Sequence, residues 1–165
     1  MDVPGISRLA LVALVVVSVL LLAVGATEGL GLATAHTDTN TRVLPAGSAI
    51  EVDVRTADLR VVAADRDDLR LTTKVRGSVF GGGHAHVALE GARLHLDDRC
   101  RSVPVIAGPC SVSYVLEVPR GTALHVMSAT GDVHAEDLGG RVDLSSATGD
   151  LHVVGGPGPV RLESA

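Results

Sequence analysis

The chain has 165 residues, 46% of them hydrophobic but only 1% aromatic, and a formal net charge of -5. That length allows one modest domain, and with one Tyr, one Phe and no Trp its core must be filled by Val, Leu and Ala, without the ring platforms on which bases and sugars stack. With 14 Lys+Arg against 19 Asp+Glu, there is no basic footprint for a phosphate backbone, so nucleic acid is excluded as a partner.

At the N-terminus an apolar run opens at Leu9 behind Arg8, is interrupted only by Ser18, and reaches Gly25 and Ala26. Counted from Leu9 through Ala26 it has 18 residues, which as a helix span roughly 27 Å, near the lower limit for crossing a bilayer. The expectation is one N-terminal transmembrane helix within residues 1–26. The run is then the membrane partner, and the charge on Arg8 keeps the short N-terminus inside and the remainder outside. A cleaved secretory signal, ending at Val24-Gly25-Ala26 or Ala33-Thr34-Ala35, is the alternative and releases the domain. Residues 27–47, rich in Thr, Gly and Ala and without a sustained period, read as a flexible tether.

From residue 48 onward apolar and polar residues alternate. Ile50, Val52 and Val54 are set against Glu51, Asp53 and Arg55, and Leu69, Leu71, Thr73 and Val75 against Arg70, Thr72, Lys74 and Arg76. This is the period of half-buried strands. Further strands are expected at Ala85, Val87 and Leu89, at Leu94 and Leu96, and at Val112, Tyr114, Leu116 and Val118. The tetrad Val118-Pro119-Arg120-Gly121 fits a type I turn.

Beyond that turn the chain divides into nines: GTALHVMSA, TGDVHAEDL, GGRVDLSSA, TGDLHVVGG and PGPVRLESA. The fourth position is Leu124, Val133, Val142, Leu151 and Val160, and the sixth is Val126, Ala135, Leu144, Val153 and Leu162. Both are apolar in every unit, with a polar residue between them, so each unit supplies one short strand with two side chains inward. Ser-Ala-Thr-Gly-Asp at Ser128 recurs at Ser146, giving a full repeat of 18 residues whose turns carry Gly131, Asp132, Gly149 and Asp150. Stacked copies would form Val/Leu ladders. The expected architecture is all-β: a single-stranded β-solenoid, β-helix-like, built from nine-residue half-repeats over residues 48–165 and preceded by the transmembrane helix. The final half-repeat stops where another Thr-Gly-Asp is due, as if truncated, and its open edge invites self-association.

Through Val-Pro-Arg-Gly at Val118 and the Ser-Ala-Thr-Gly-Asp repeats that follow, the chain resembles the bacterial putative-adhesin, β-strand-repeat family of unknown function, over roughly residues 48–165. Thr56-Ala57-Asp58-Leu59-Arg60-Val61 looks like a degenerate opening repeat of such proteins. The resemblance implies an N-terminal membrane anchor and an extracytoplasmic all-β domain, and implies location and fold better than activity.

Cys100 and Cys110 are the only cysteines, and outside the cytoplasm the default for such a pair is a disulfide. A catalytic thiol or a metal ligand is the alternative, and neither has the C-x-x-C spacing that would favour it. Asp132 and Asp150 should share one edge of adjacent repeats. They are expected to serve ordinary turns rather than calcium, because Arg141 and Pro159 break the acidic pattern. His84 and His86, with His95, His125, His134 and His152, are read as outward polar groups rather than zinc ligands. No cofactor, metal or catalytic residue is assigned. The function expected is non-enzymatic: a membrane-anchored, adhesin-like protein outside the cytoplasm, for surface adhesion or envelope organisation, with its ligand unidentified. The alternative is an envelope sensory or regulatory module that captures a peptide or cell-wall component.

Overall fold

A computed structural model describes Leu14 and residues 16–19, 36–77, 82–101 and 110–165. The described part after residue 35 is all-β, with twelve strands: β1 (His36–Pro45), β2 (Ala49–Val54), β3 (Asp58–Ala64), β4 (Asp68–Gly77), β5 (Gly82–Glu90), β6 (Arg93–Arg101), β7 (Ser111–Pro119), β8 (Ala123–Ser128), β9 (Val133–Glu136), β10 (Val142–Ser146), β11 (Leu151–Val154) and β12 (Val160–Ser164). They form two six-stranded sheets in the orders β1-β4-β7-β3-β9-β11 and β12-β10-β8-β2-β6-β5, called here the first and second sheet. Their inward residues meet in one core.

Alternation determines what is inside. Ile50, Val52 and Val54 of β2, Leu59 and Val61 of β3, Leu94 and Leu96 of β6, and Val112, Tyr114, Leu116 and Val118 of β7 are all buried, while the residues between them face out or lie at intermediate depth. In the first sheet Leu59 pairs with Tyr114 on one side and with Val133 on the other, and Val133 pairs in turn with Leu151. In the second, Leu94, Val52, Val126, Leu144 and Leu162 form a single row across five strands. Residues 18 apart thus lie side by side, and successive nine-residue units alternate between the two sheets.

The expected single-stranded β-solenoid is nevertheless corrected to a pair of mixed sheets. Pairing is parallel from β6 through β2, β8 and β10 to β12, and from β7 through β3 and β9 to β11. At the other end of each sheet it is antiparallel, between β1, β4 and β7 and between β5 and β6. The antiparallel part is also built of longer strands: a nine-residue unit must leave room for one corner, and its strands are four to six residues long here, whereas β1 and β4 have ten and β5, β6 and β7 nine. Of the antiparallel neighbours, β5 and β6 are joined by a two-residue hairpin at Gly91-Ala92, whereas β1, β4 and β7 meet through longer connections.

The transmembrane-helix expectation is corrected as well: no helix among the described residues is long and apolar enough to cross a membrane. Leu14 and residues 16–19 are helical, and the rest of the run from Leu9 to Ala26 lies outside the described residues. The tether expected over residues 27–47 is overtaken at residue 36, where β1 begins and pairs antiparallel with β4 along its whole length. Only Leu44 on this strand is even partly covered, so β1 carries no apolar alternation by which the sequence could announce it. The turn after β7 sits one residue later than expected: the Thr122 N–H donates to the Pro119 carbonyl at 3.0 Å.

Cys100 and Cys110 form a disulfide with Cα atoms 5.7 Å apart. The bond joins β6 of the second sheet to the residue before β7 of the first. A cross-link over ten residues of sequence separation restricts the unfolded chain by about 3 kcal/mol in the chain-entropy treatment. Replacing both cysteines by serine is expected to lower the unfolding free energy by about that amount in urea titrations, and reductant should have the same effect on the parent. Identical midpoints for parent and variant would contradict this.

Candidate functional site

The outward face of the second sheet carries a row of charged and polar groups set by the same register that builds the core. Across all six strands the row reads Arg161, Asp143, His125, Glu51, Arg93 and Glu90, each directly opposite the next. Carboxylates therefore alternate with arginine or histidine at the spacing of adjacent strands, roughly 4.8 Å. Opposite charges facing each other across strands stabilise the pairing, while like charges would oppose it. The Arg93 guanidinium donates to Glu51 at 2.8 Å, Arg141 at the mouth of β10 donates to Asp143 at 2.7 Å, and Arg161 pairs with Glu163 two residues on. A shallow groove lies along the middle of this row, lined by Glu51, His125 and Asp143 with Ala49, Ala92 and Leu124.

These contacts hold the acids in their charged form. The hydrogen bond from Arg93 keeps the Glu51 carboxyl below its ordinary value of 4.5, and that from Arg141 does the same for Asp143, ordinarily 3.8. On the first sheet and its loops, Arg66 lowers Asp68 and Arg120 lowers Asp65. The charged stretch Asp65-Arg66-Asp67-Asp68 is thus organised: Arg66 donates to Asp68 at 2.5 Å and to Glu117 of β7 at 2.7 Å. A carboxyl whose value is lowered on folding contributes stability that is fully present above its unfolded value and fades as pH falls through the lower folded one. The melting temperature is therefore expected to be level above about 4.5, the ordinary glutamate value, and to decline below it. The decline should be smaller for the double variant Glu51→Gln with Asp143→Asn; equal acid sensitivity would contradict the assignment. Water still reaches Glu51 and Asp143, whose side chains are 28% and 23% exposed, and screens their ion pairs, so the effect is modest.

The sequence-assigned core positions divide by location. Leu124, Val126, Val133, Ala135, Val142 and Leu144 are buried; Leu151 and Val153 on β11 are half-buried; Val160 and Leu162 on β12 are 48% and 47% exposed. The first six are covered by neighbouring strands on both sides, whereas β11 and β12 are the outermost strands of their sheets.

At the turns, Gly131 and Gly149 have φ of 115° and 121°. The aspartates beside them bond across layers rather than within their own turns: the Asp132 N–H donates to Asp58 at 3.2 Å, and the Asp150 N–H donates to Asp132 at 2.8 Å. Asp58, in the degenerate repeat, is thus the first of a three-member column. No group of three His, Cys, Asp or Glu among the described residues could hold a metal ion. His134 and His152 lie with ring centroids 5.5 Å apart and planes tilted by 54°; His84 and His86 lie on the exposed face of β5 opposite Arg99 and Asp97.

Two polar groups went unmarked in the sequence. Asp98 follows Leu94 and Leu96 at an inward position and is only 9% exposed, its carboxylate accepting the Thr56 N–H at 3.1 Å at the corner between β2 and β3. The Glu51–Arg93 half of the charged row was hidden because its neighbour His125 lies 74 residues away, which is not a multiple of nine.

No family model matches the chain, and no curated protein matches it. Two solved structures are similar to it. One is a "putative cell adhesion protein" from Clostridium sporogenes ATCC 15579, 6% identical, covering 79% of this chain and 100% of its own, with a TM-score of 0.41. The other is a "putative adhesin" from Bacteroides fragilis NCTC 9343, 11% identical, covering 78% of this chain and 97% of its own, with a TM-score of 0.28. The likeness is thus a distant one, to two proteins named for adhesion.

Proposed function

We propose that the protein is an exported, non-enzymatic, adhesin-like module that holds an envelope or cell-surface polymer along the outer face of its second sheet. The observation that carries this reading is the unbroken row from Arg161 to Glu90. Its chemistry is spread evenly over six strands instead of converging on one point, as a reaction centre requires. Like groups recur on every second strand, about 10 Å apart, which suits an extended chain with repeating charged units better than a single small molecule. The disulfide supports a location outside the cytoplasm, where such bonds persist.

The test is retention of the purified protein on insoluble bacterial envelope polymer, compared with the variant Arg93→Ala with Arg161→Ala. Both side chains are exposed, so folding should survive. Retention is expected to fall as salt rises, because exposed charges are screened, and to drop roughly tenfold in the variant if two such contacts are lost. Equal retention of parent and variant at every salt concentration would refute the role of this face, and turnover of the polymer would refute a non-enzymatic role.

A further inference from the structure

Positive charge without a partner collects at one place, β1 and β4 of the first sheet. Among the described side chains every arginine except Arg42 and Arg76 pairs with a carboxylate, and Lys74, the only lysine of the chain, has no such partner among the described residues either. Lys74 and Arg76 stand two residues apart on β4, both exposed and both on its outward side. The register sets a hydroxyl on either side of each. Lys74 lies between Thr39 of β1 and Ser113 of β7, and Arg76 between Thr37 and Ser111. One step further along β4 the Thr72 hydroxyl lies 3.3 Å from that of Thr41. The acid that continues the Lys74 row, Asp58 beyond Ser113, already accepts the Asp132 N–H at 3.2 Å.

From this arrangement we infer a second binding face, for a phosphodiester-linked polymer without bases, with one phosphate seated over Lys74 and the next over Arg76. The Cα atoms of alternate residues in a strand are six covalent bonds and about 6.8 Å apart. A phosphodiester chain with three-carbon links also has six bonds from one phosphorus to the next, so when extended it keeps step with β4. A tetrahedral phosphate turns oxygens both to the cation beneath it and to hydroxyls on the two flanking strands, roughly 4.8 Å to either side. A planar carboxylate cannot address all three. The single tyrosine is buried in the core, so no aromatic side chain of the described residues lies on this face and bases would gain no stacking there. The face belongs to the first sheet and the row from Arg161 to Glu90 to the second, so the inference does not depend on the function proposed above.

The experiment titrates a fluorescently labelled synthetic glycerol-phosphate oligomer with the full-length chain in mild detergent and follows anisotropy. The parent should bind, and less tightly as salt rises. Lys74→Ala and Arg76→Ala should each weaken binding about fivefold. Arg42→Ala removes the same charge from the other side of β1, opposite the buried Leu71, and should bind like the parent. Thr39→Val with Ser113→Ala keeps every charge but removes the hydroxyls beside Lys74; it should weaken binding about threefold to tenfold. All the substituted side chains except the half-buried Ser113 are exposed, and circular dichroism checks that the sheets remain formed. A parent that does not bind would overturn the inference. So would losses at Lys74 and Arg76 no larger than at Arg42, which would mean bulk charge alone, or a hydroxyl variant that binds like the parent. Tighter binding of oligothymidylate or of dextran sulfate than of the glycerol-phosphate oligomer would overturn the assignment to a base-free phosphodiester.

Discussion

Gly131→Val is expected to abolish folding or to cost about 3 to 5 kcal/mol, the range for severe strain and overpacking combined. A β-carbon at this position would lie 2.5 Å from the Ala57 carbonyl oxygen and 2.8 Å from its carbonyl carbon, and the backbone φ of 115° is one that side chains rarely adopt. The obstacle is main chain of the adjoining layer, which cannot rotate aside as a side chain could. Gly121→Ala is the control: nothing lies within 4 Å of the β-carbon it would add, and its effect should stay within about 0.5 kcal/mol. Urea midpoints measured on both variants decide the matter, and a small effect at Gly131 would mean that the layers are not as closely stacked as described.

The second large effect is expected at Tyr114, the largest fully buried side chain. It sits on β7 between Thr73 and Leu59. In a core otherwise built of small aliphatic groups no neighbour is large enough to fill the space it would leave, so Tyr114→Ala should cost about 3 to 5 kcal/mol. Its hydroxyl is a different matter. The oxygen is buried without a hydrogen-bond partner, and burial, followed by the nearby charges of Asp98 and Asp97, pushes its pKa well above the usual phenol value. Removing an unsatisfied buried hydroxyl relieves a desolvation cost, so Tyr114→Phe should be neutral or stabilising by up to about 1 kcal/mol. A marked loss of stability in the phenylalanine variant would reveal a partner for the hydroxyl.

How much was legible follows from the range over which each signal acts. Leu124 lies beside Val142 and Val133 beside Leu151, pairs that a single 18-residue period is enough to bring together. The neighbours of Leu124 and Val133 on the other side are Ile50 and Leu59. Between those pairs the chain makes the excursion that builds β4 to β7, and its length bears no relation to the period. Strand existence was therefore readable over residues 49–119, while strand order was not. β1 escaped for a separate reason: both its faces are open to water, so no hydrophobic pattern is imposed on it. On the charged row, His125, Asp143 and Arg161 could be identified as outward groups, but their continuation through Glu51 to Glu90 depends on that same unreadable strand order.

The alternation of successive nine-residue units between the sheets makes length a quantised property of this molecule. Removing 18 residues from the C-terminal third, or inserting 18, subtracts or adds one strand in each sheet and returns every remaining side chain to its own face. A change of nine would instead send each later strand to the opposite sheet, bringing the aspartate column beneath the wrong corner. Tandem duplication of whole 18-residue segments is accordingly the cheapest way for descendants of such a gene to lengthen or shorten the surface they display.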